Sequence, residues 1–284
     1  NIGIMNGSPI TSDYASVLFL LNGDDFEVIV IDVKGKFVDN PYVVDTAAQS
    51  LTADSDVAKT FSTSDQTVSS QTLTAKNIDT KDAAKDVTVT TSNANITVLD
   101  SSGNTIDNNT HKLTIVKGDN KVTYQIKIAA NTPVGEYTVK FTCGDAEATV
   151  NVTVSDATAT LTALADSNVD VTTVTNAAIP SLDSLAATAT GTGVGTIESD
   201  KKWYLVSNGN EMDSNVSYKA NTQIAFKVVI SAADNYTLTG VSAPATISLA
   251  SSSSANLVTT GPLVSSYDAT TDTLTAYYYV TITA

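Results

Sequence analysis

An all-β fold built from small sandwiches is what this sequence predicts, and three observations predict it. From Gly135 to Val154 apolar and polar residues alternate twice: Tyr137, Val139, Phe141 and Cys143, then Ala146, Ala148, Val150, Val152 and Val154, with Gly144-Asp145 between them. A period of two buries one face of a strand and wets the other, and two such runs joined at Gly-Asp form an antiparallel hairpin. Ser and Thr make up about a quarter of the 284 residues; Thr and Val favour strands, Ser and Asn favour turns, and helix formers are scarce. Finally, short apolar runs bounded by turn residues recur at roughly the 8–12-residue spacing of a sandwich or barrel. Hydrophobic content of 42% supports real cores, and the length suits two domains.

Residues 1–45 differ from the rest. Ser16-Val-Leu-Phe-Leu-Leu and Phe26-Glu-Val-Ile-Val-Ile flank Asn22-Gly-Asp-Asp, a strong hairpin turn. Both runs are nearly continuously apolar, so both faces need cover, either from another layer of this chain or from another subunit. Leu18, Phe19, Ile29 and Ile31 are therefore candidate interface residues. Asn40-Pro41 breaks the pattern, and residues 45–56, small and polar, read as a linker. The first residues look mid-sequence, which predicts a processed protein or a piece of a longer one.

Eight strands are expected between 57 and 155: Lys59–Ser62, Gln71–Ala75, Val87–Thr90, Ile96–Asp100, Lys112–Lys117, Val122–Ala129, Tyr137–Thr142 and Ala148–Val154. Asp100-Ser-Ser-Gly-Asn and Lys117-Gly-Asp-Asn are turns between them. Asp156–Ala165 leads into a second unit whose clearest strands are Trp203–Val206, Ile224–Ile230, Tyr236–Thr239, Thr246–Leu249 and Leu274–Ile282, with Ser251–Ser254 a loop. The expected organisation is a hairpin segment at 1–45 and sandwiches at 46–156 and 157–284.

The net charge is -15 and the pI about 4.2, and all fifteen basic residues are lysines. A nucleic-acid binder needs a basic footprint, and none is present; the lack of arginine also removes the usual phosphate clamp. The acidity reads first as solubility. The single cysteine, Cys143, lies on an apolar face and reads as a buried structural thiol. No apolar run is long enough for a membrane span.

Catalytic chemistry finds little to work with, and no catalytic or metal-ligating residue is assigned. His111 is the only histidine, placed in a turn, with no Gly-x-Ser-x-Gly elbow in the chain. The acids at Asp24-Asp25, Asp54/Asp56 and Asp145/Glu147 fall at turns or in the linker. Calcium is the one cofactor the pattern admits, with oxygen donors spaced along Asp100–Asp107. Gly191-Thr-Gly-Val-Gly195 lacks the Lys-Ser/Thr ending of a phosphate loop and is rejected as one. Trp203-Tyr204 and Tyr277-Tyr278-Tyr279 are candidate sugar-stacking or interface aromatics; Trp203, Tyr277 and Tyr279 are taken as interface candidates, and glycan binding is expected to depend on Trp203 or Tyr278. Asn-x-Ser/Thr sequons occur at Asn6, Asn95, Asn108, Asn151, Asn215 and Asn235. Lys127 and Lys140 fall on polar faces, which disfavours an isopeptide staple.

Thr132-Pro-Val-Gly-Glu-Tyr-Thr-Val and Ala148-Thr-Val-Asn-Val-Thr-Val resemble the closing strands of bacterial immunoglobulin-like repeats. Tyr218–Leu238 resembles a repeat of large Gram-positive surface proteins in which a strand is followed by Ala-x-x-Gly-Tyr-x-Phe, with Asn235 where Gly is usual and Leu238 where Phe is usual. The 15–33 hairpin is similar to segments of clostridial surface-layer proteins with SLH anchors, although no SLH domain or sortase motif is seen in this chain. The resemblance implies tandem Ig-like β-sandwich domains preceded by a β-hairpin segment. Together with the tandem sandwiches, the lack of catalytic side chains and the uncovered apolar hairpin, it leads to the expectation of a secreted, non-enzymatic structural protein of the cell surface that self-assembles into a layer or fibre. Its partners would be other copies of itself and, alternatively, as an adhesin or carbohydrate-binding region, cell-wall polysaccharide or host glycans.

Overall fold

The computed structural model describes residues 14–22, 25–32 and 37–38 by their backbone, and residues 48–81, 83–166, 168, 181–183, 185–213, 218–244, 247–249 and 265–282 with their side chains. Among the described residues every regular element is a strand. The chain forms two units: Asn1–Asp56 with Thr67–Lys127 and Thr138–Val150, and Val57–Gln66 with Ile128–Tyr137 and Asn151–Ala284.

In the first unit, Tyr14–Asn22 pairs antiparallel with Asp25–Asp32, which pairs with Phe37–Val38. The register sets Leu18 opposite Ile29 and Phe19 opposite Val28. The expected hairpin is thus present in the backbone. The side chains of Leu18, Phe19, Ile29 and Ile31, and the turn at 23–24, lie outside the described residues.

The sandwich of this unit has Ser50–Ala53, Gln71–Lys76 and Lys121–Ile128 side by side in one sheet. The other contains Leu113–Ile115, Lys85–Thr91, Gly135–Cys143 and Ala146–Ser155. This partition, with the last hairpin closing the second sheet, is the immunoglobulin-like arrangement. Alternation does the sorting: Leu73, Ile96, Leu113, Ile115, Tyr124 and Phe141 are essentially sealed from solvent. The Tyr124 and Phe141 rings meet at 4.7 Å across the core. The linker expected over 45–56 is corrected, because Ser50–Ala53 is a strand on Gln71–Lys76. Leu51, its one large apolar side chain, is buried, and Asp54 Oδ2 accepts the Thr72 amide at 2.7 Å. One anchored side chain and a backbone ladder are enough to dock an edge strand.

In the second unit, Val57–Thr60 runs parallel to the end of Ala146–Ser155, Val57 opposite Val152 and Thr60 opposite Ser155. Tyr137 Oη donates to the Pro133 carbonyl at 2.7 Å, the tyrosine corner of immunoglobulin-like folds. Ala157–Thr158 pairs in parallel with Tyr236–Thr237. Thr160–Asp166 lies between Thr188–Thr192 and Ile247–Leu249. The facing sheet centres on Gln223–Ala232, flanked by Val194–Glu198, Trp203–Leu205 and Thr273–Thr281, with Ser265–Asp268 at its edge. Leu164, Leu182, Ile224, Phe226, Ile230 and Leu238 form the heart of the core.

The Gly191–Gly195 run is a corner where the chain leaves one of these sheets for the other. A Cβ on Gly191 would lie 1.9 Å from the Thr160 carbonyl oxygen, one on Gly193 2.2 Å from the Tyr236 ring, and one on Gly195 2.5 Å from the Ala232 carbonyl oxygen. Only hydrogen side chains let the strands approach this closely. Asn235 adopts φ +68°, which explains why a glycine suits its place in the repeat it resembles. Its backbone carbonyl accepts the Ala157 amide at 3.1 Å, and its Oδ1 the Val134 amide at 2.8 Å.

Candidate functional site

Two of the acids singled out in sequence, Asp100 and Asp107, hold their own turns. Asp107 Oδ1 accepts the amides of Asn109, Thr110 and His111 at 2.8, 2.7 and 2.9 Å. These bonds, the one from His111 first, hold its carboxyl below the usual range. Asp100 Oδ1 accepts the amides of Ser102 and Asn104, and its Oδ2 the Asn104 side-chain amide; the Asn104 side chain is the chief cause of its lowered pKa. His111 is exposed beside this loop. Glu147 pairs with Lys140 at 2.7 Å on the wet face of the closing hairpin. Asp24 lies outside the described residues. Among the described residues no group of three or more His, Cys, Asp or Glu is placed to hold a metal ion, and no helix is long and apolar enough to cross a membrane. Cys143 is buried, which pushes its thiol pKa up.

Asn108 has a structural task. At φ +64°, its Oδ1 accepts the Val89 amide at 2.9 Å and its Nδ2 donates to the Val89 carbonyl at 2.7 Å. One side-chain amide thus supplies a rung that the Leu113–Ile115 strand, paired with residues 85–87, does not reach. Asn6 and Asn215 lie outside the described residues, whereas Asn151 is exposed on its strand.

The aromatic residues converge. Strand Thr273–Thr281 alternates strictly, so Tyr278 is buried while Tyr277 and Tyr279 are partly exposed on the outer face. Tyr278 Oη donates to the Pro244 carbonyl at 2.8 Å, and burial raises its pKa to about 12. Trp203 is a correction to the sequence reading: it is 8% exposed and meets the Phe226 ring edge-on at 5.5 Å inside the core. The alternation that sends Trp203 inward turns Tyr204 outward. Neither Trp203 nor Tyr278 can present a ring face to a ligand without unfolding.

Across the outer face, register places Tyr204 opposite Ala225 and Ala225 opposite Tyr279, with Tyr277 opposite Lys227 one step along. Ala225 has 1% exposure although it is on the outward face, because its larger neighbours close over it. The Tyr204 and Tyr277 rings meet edge-to-face at 5.8 Å and 81°. Tyr204 Oη donates to Asp200 Oδ2 at 2.5 Å; this bond, ahead of burial, raises the phenol's pKa. An isolated bridge sets Glu211 beside Tyr204, and Glu211 Oε2 pairs with Lys202 Nζ at 2.8 Å. The result is three tyrosines on one outer face, with Ala225 sealed beneath their neighbours, rimmed by charged side chains. Sequence reasoning named the Trp203-Tyr204 pair and Tyr277–Tyr279 as candidate aromatics, but of the pair took Trp203 as the interface residue; the period-two rule applied to Trp203–Leu205 is the signal that separates it from Tyr204.

No known family model matches the chain, and no curated protein does. Among solved structures, the chain is similar to domains 4 and 5 of the S-layer protein SbsC, at 20% identity and a TM-score of 0.24, covering 49% of this chain and 56% of that one. It is also similar to domains 5–6 of SbsC, at 13% identity and a TM-score of 0.24 over 81% of this chain and 82% of that one. A Dscam structure matches at 10% identity and a TM-score of 0.27, over 79% of this chain and 54% of that one. The chain spans just over half the length of the first of these.

Proposed function

We propose that this chain is a non-enzymatic structural protein of the cell surface that self-assembles into a layer or fibre through its N-terminal sheet. The observation that carries this reading is the three-stranded sheet of Tyr14–Asn22, Asp25–Asp32 and Phe37–Val38, whose strands pair with one another alone among the described residues. Its sequence is apolar at successive positions, so both faces need cover. A second copy supplies matching apolar strands by symmetry, and sheet edges are ready templates for strand addition. The sandwiches support the same reading, since Asp100 and Asp107 cap turns, Asp54 ties an edge strand and Glu147 pairs with Lys140. Calcium bridging between the acidic copies is part of the proposal.

The test is electron microscopy and sedimentation of the purified chain at increasing concentration, with and without calcium. Ordered sheets or fibres are expected, and a Leu18→Lys, Ile29→Lys double variant should abolish them while the sandwiches stay folded. A chain that remains monomeric at high concentration under both conditions overturns the reading.

A further inference from the structure

We infer that the outer face formed by Tyr204, Tyr277 and Tyr279 is a binding platform for an extended neutral polysaccharide. Three features of that face support it. The rings are held before any ligand arrives: Tyr204 by its bond to Asp200 and its edge contact with Tyr277, and all three by their places on paired strands. Tyrosine has few rotatable bonds, so stacking a sugar on such rings costs little ordering entropy. The backbones of Tyr204 and Tyr279 stand two strand spacings apart, about 10 Å, with Ala225 sealed beneath the side chains between them. That is the order of the two-sugar repeat of an extended β-1,4-linked chain, which presents apolar ring faces outward. Around the rings, the Lys202–Glu211 pair, Lys227, Gln223 and Thr281 offer both donors and acceptors, as sugar hydroxyls require.

Charge and size select this occupant. The rim is balanced, with Lys202 and Lys227 against Asp200 and Glu211, on a chain of net charge -15; the overall field disfavours an anionic polymer, and the local balance suits a neutral one. A second copy fits poorly. A stable protein interface covers about 800 Å² on each partner, while three tyrosines of about 150–250 Å² each, already partly buried, offer far less. Beyond them the face is Thr273, Thr275 and Thr281 rather than Leu or Ile. The inference takes from the surface reading only the place where glycan would be met, and it does not depend on assembly.

The experiment is titration of the full chain with cellohexaose and chitohexaose by calorimetry, and pull-down on the matching insoluble polymers, with polygalacturonate as the anionic comparison. Saturable binding to at least one neutral probe is expected. Tyr277→Ala and Tyr279→Ala should each weaken it roughly tenfold, while Tyr277→Phe and Tyr279→Phe, which keep the ring, should retain most of it. If the alanine variants fail to fold, the wild-type titration and the phenylalanine variants still decide. Silence toward all neutral probes, binding to polygalacturonate alone, binding that survives both alanine changes together, or dimerisation lost on those changes would overturn the inference. Because the assay needs only purified chain, its failure leaves assembly standing, and a chain that never assembles can still bind.

Discussion

Replacing Gly193 by alanine tests the sheet-switching corner most directly. The residue sits at φ +74°, and an added Cβ would lie 2.2 Å from Cδ1 and 2.4 Å from Cγ of Tyr236. The left-handed conformation costs an alanine about 1–2 kcal/mol. The clash adds more, because Cγ is the root of the ring rather than its tip, and the ring clears the methyl only by moving bodily. That movement strains the site by about 1–3 kcal/mol and breaks the edge-to-face contact of Tyr236 with Phe61 at 5.2 Å, worth about 0.5–1.5 kcal/mol. The expected loss is roughly 2.5–6.5 kcal/mol in all. Gly240 is the matched control: its φ is +77°, yet nothing lies within 4 Å of an added Cβ, so Gly240→Ala should lose only about 1–2 kcal/mol. Urea unfolding followed by tyrosine fluorescence reads the difference as a shift in midpoint at constant slope. Equal destabilisation by the two substitutions would refute the packing argument and leave backbone conformation as the sole reason for glycine.

Two further outcomes follow from buried polar groups. The folded-state pKa of Tyr278 is about 12, set by burial, against about 10 for an unfolded tyrosine. The unfolded chain therefore loses this proton first, and stability present below pH 10 should decline between pH 10 and 12 by up to about 1.4 kcal/mol per pH unit; Tyr278→Phe should make that part of the profile shallower in alkaline unfolding curves. Asp166 is 1% exposed and its carboxylate accepts the amides of Ala186 at 2.6 Å and Asn168 at 2.8 Å. Asp166→Ala should cost roughly 2–4 kcal/mol in urea unfolding, and Asp166→Asn, which keeps an acceptor, clearly less.

Strands with large alternating side chains were readable from sequence. Gln223–Ala232 and Thr273–Thr281 fall within two residues of their expected bounds, because Ile, Phe, Val and Tyr at every second position leave one way to bury them. Thr160–Asp166, Thr188–Thr192 and Val194–Glu198 did not announce themselves as strands. Their side chains are mostly Thr, Ala and Gly, whose period-two contrast is faint, and their places are set by backbone approach at the glycine corner. Ser50–Ala53 escaped for a similar reason, with only Leu51 to mark it. The tyrosine face was half legible. Alternation within Tyr277–Tyr279 separates outward from inward rings, but the meeting of Tyr204 with Tyr277 depends on a pairing between strands some seventy residues apart, which no local pattern encodes.

The parallel pairing of Val57–Thr60 with Val152–Ser155 sets how that segment answers to pulling. In a parallel pair the incoming end of one strand and the outgoing end of the other point in opposite directions. Tension that draws residue 57 and residue 155 apart therefore runs along the strands. Four register pairs, together with the Phe61 amide bond to the Ser155 carbonyl, share that load at once. A hairpin pulled from its open end yields one rung at a time; this pair must slide as a block, which makes the segment a mechanical clamp against tension between residues 57 and 155.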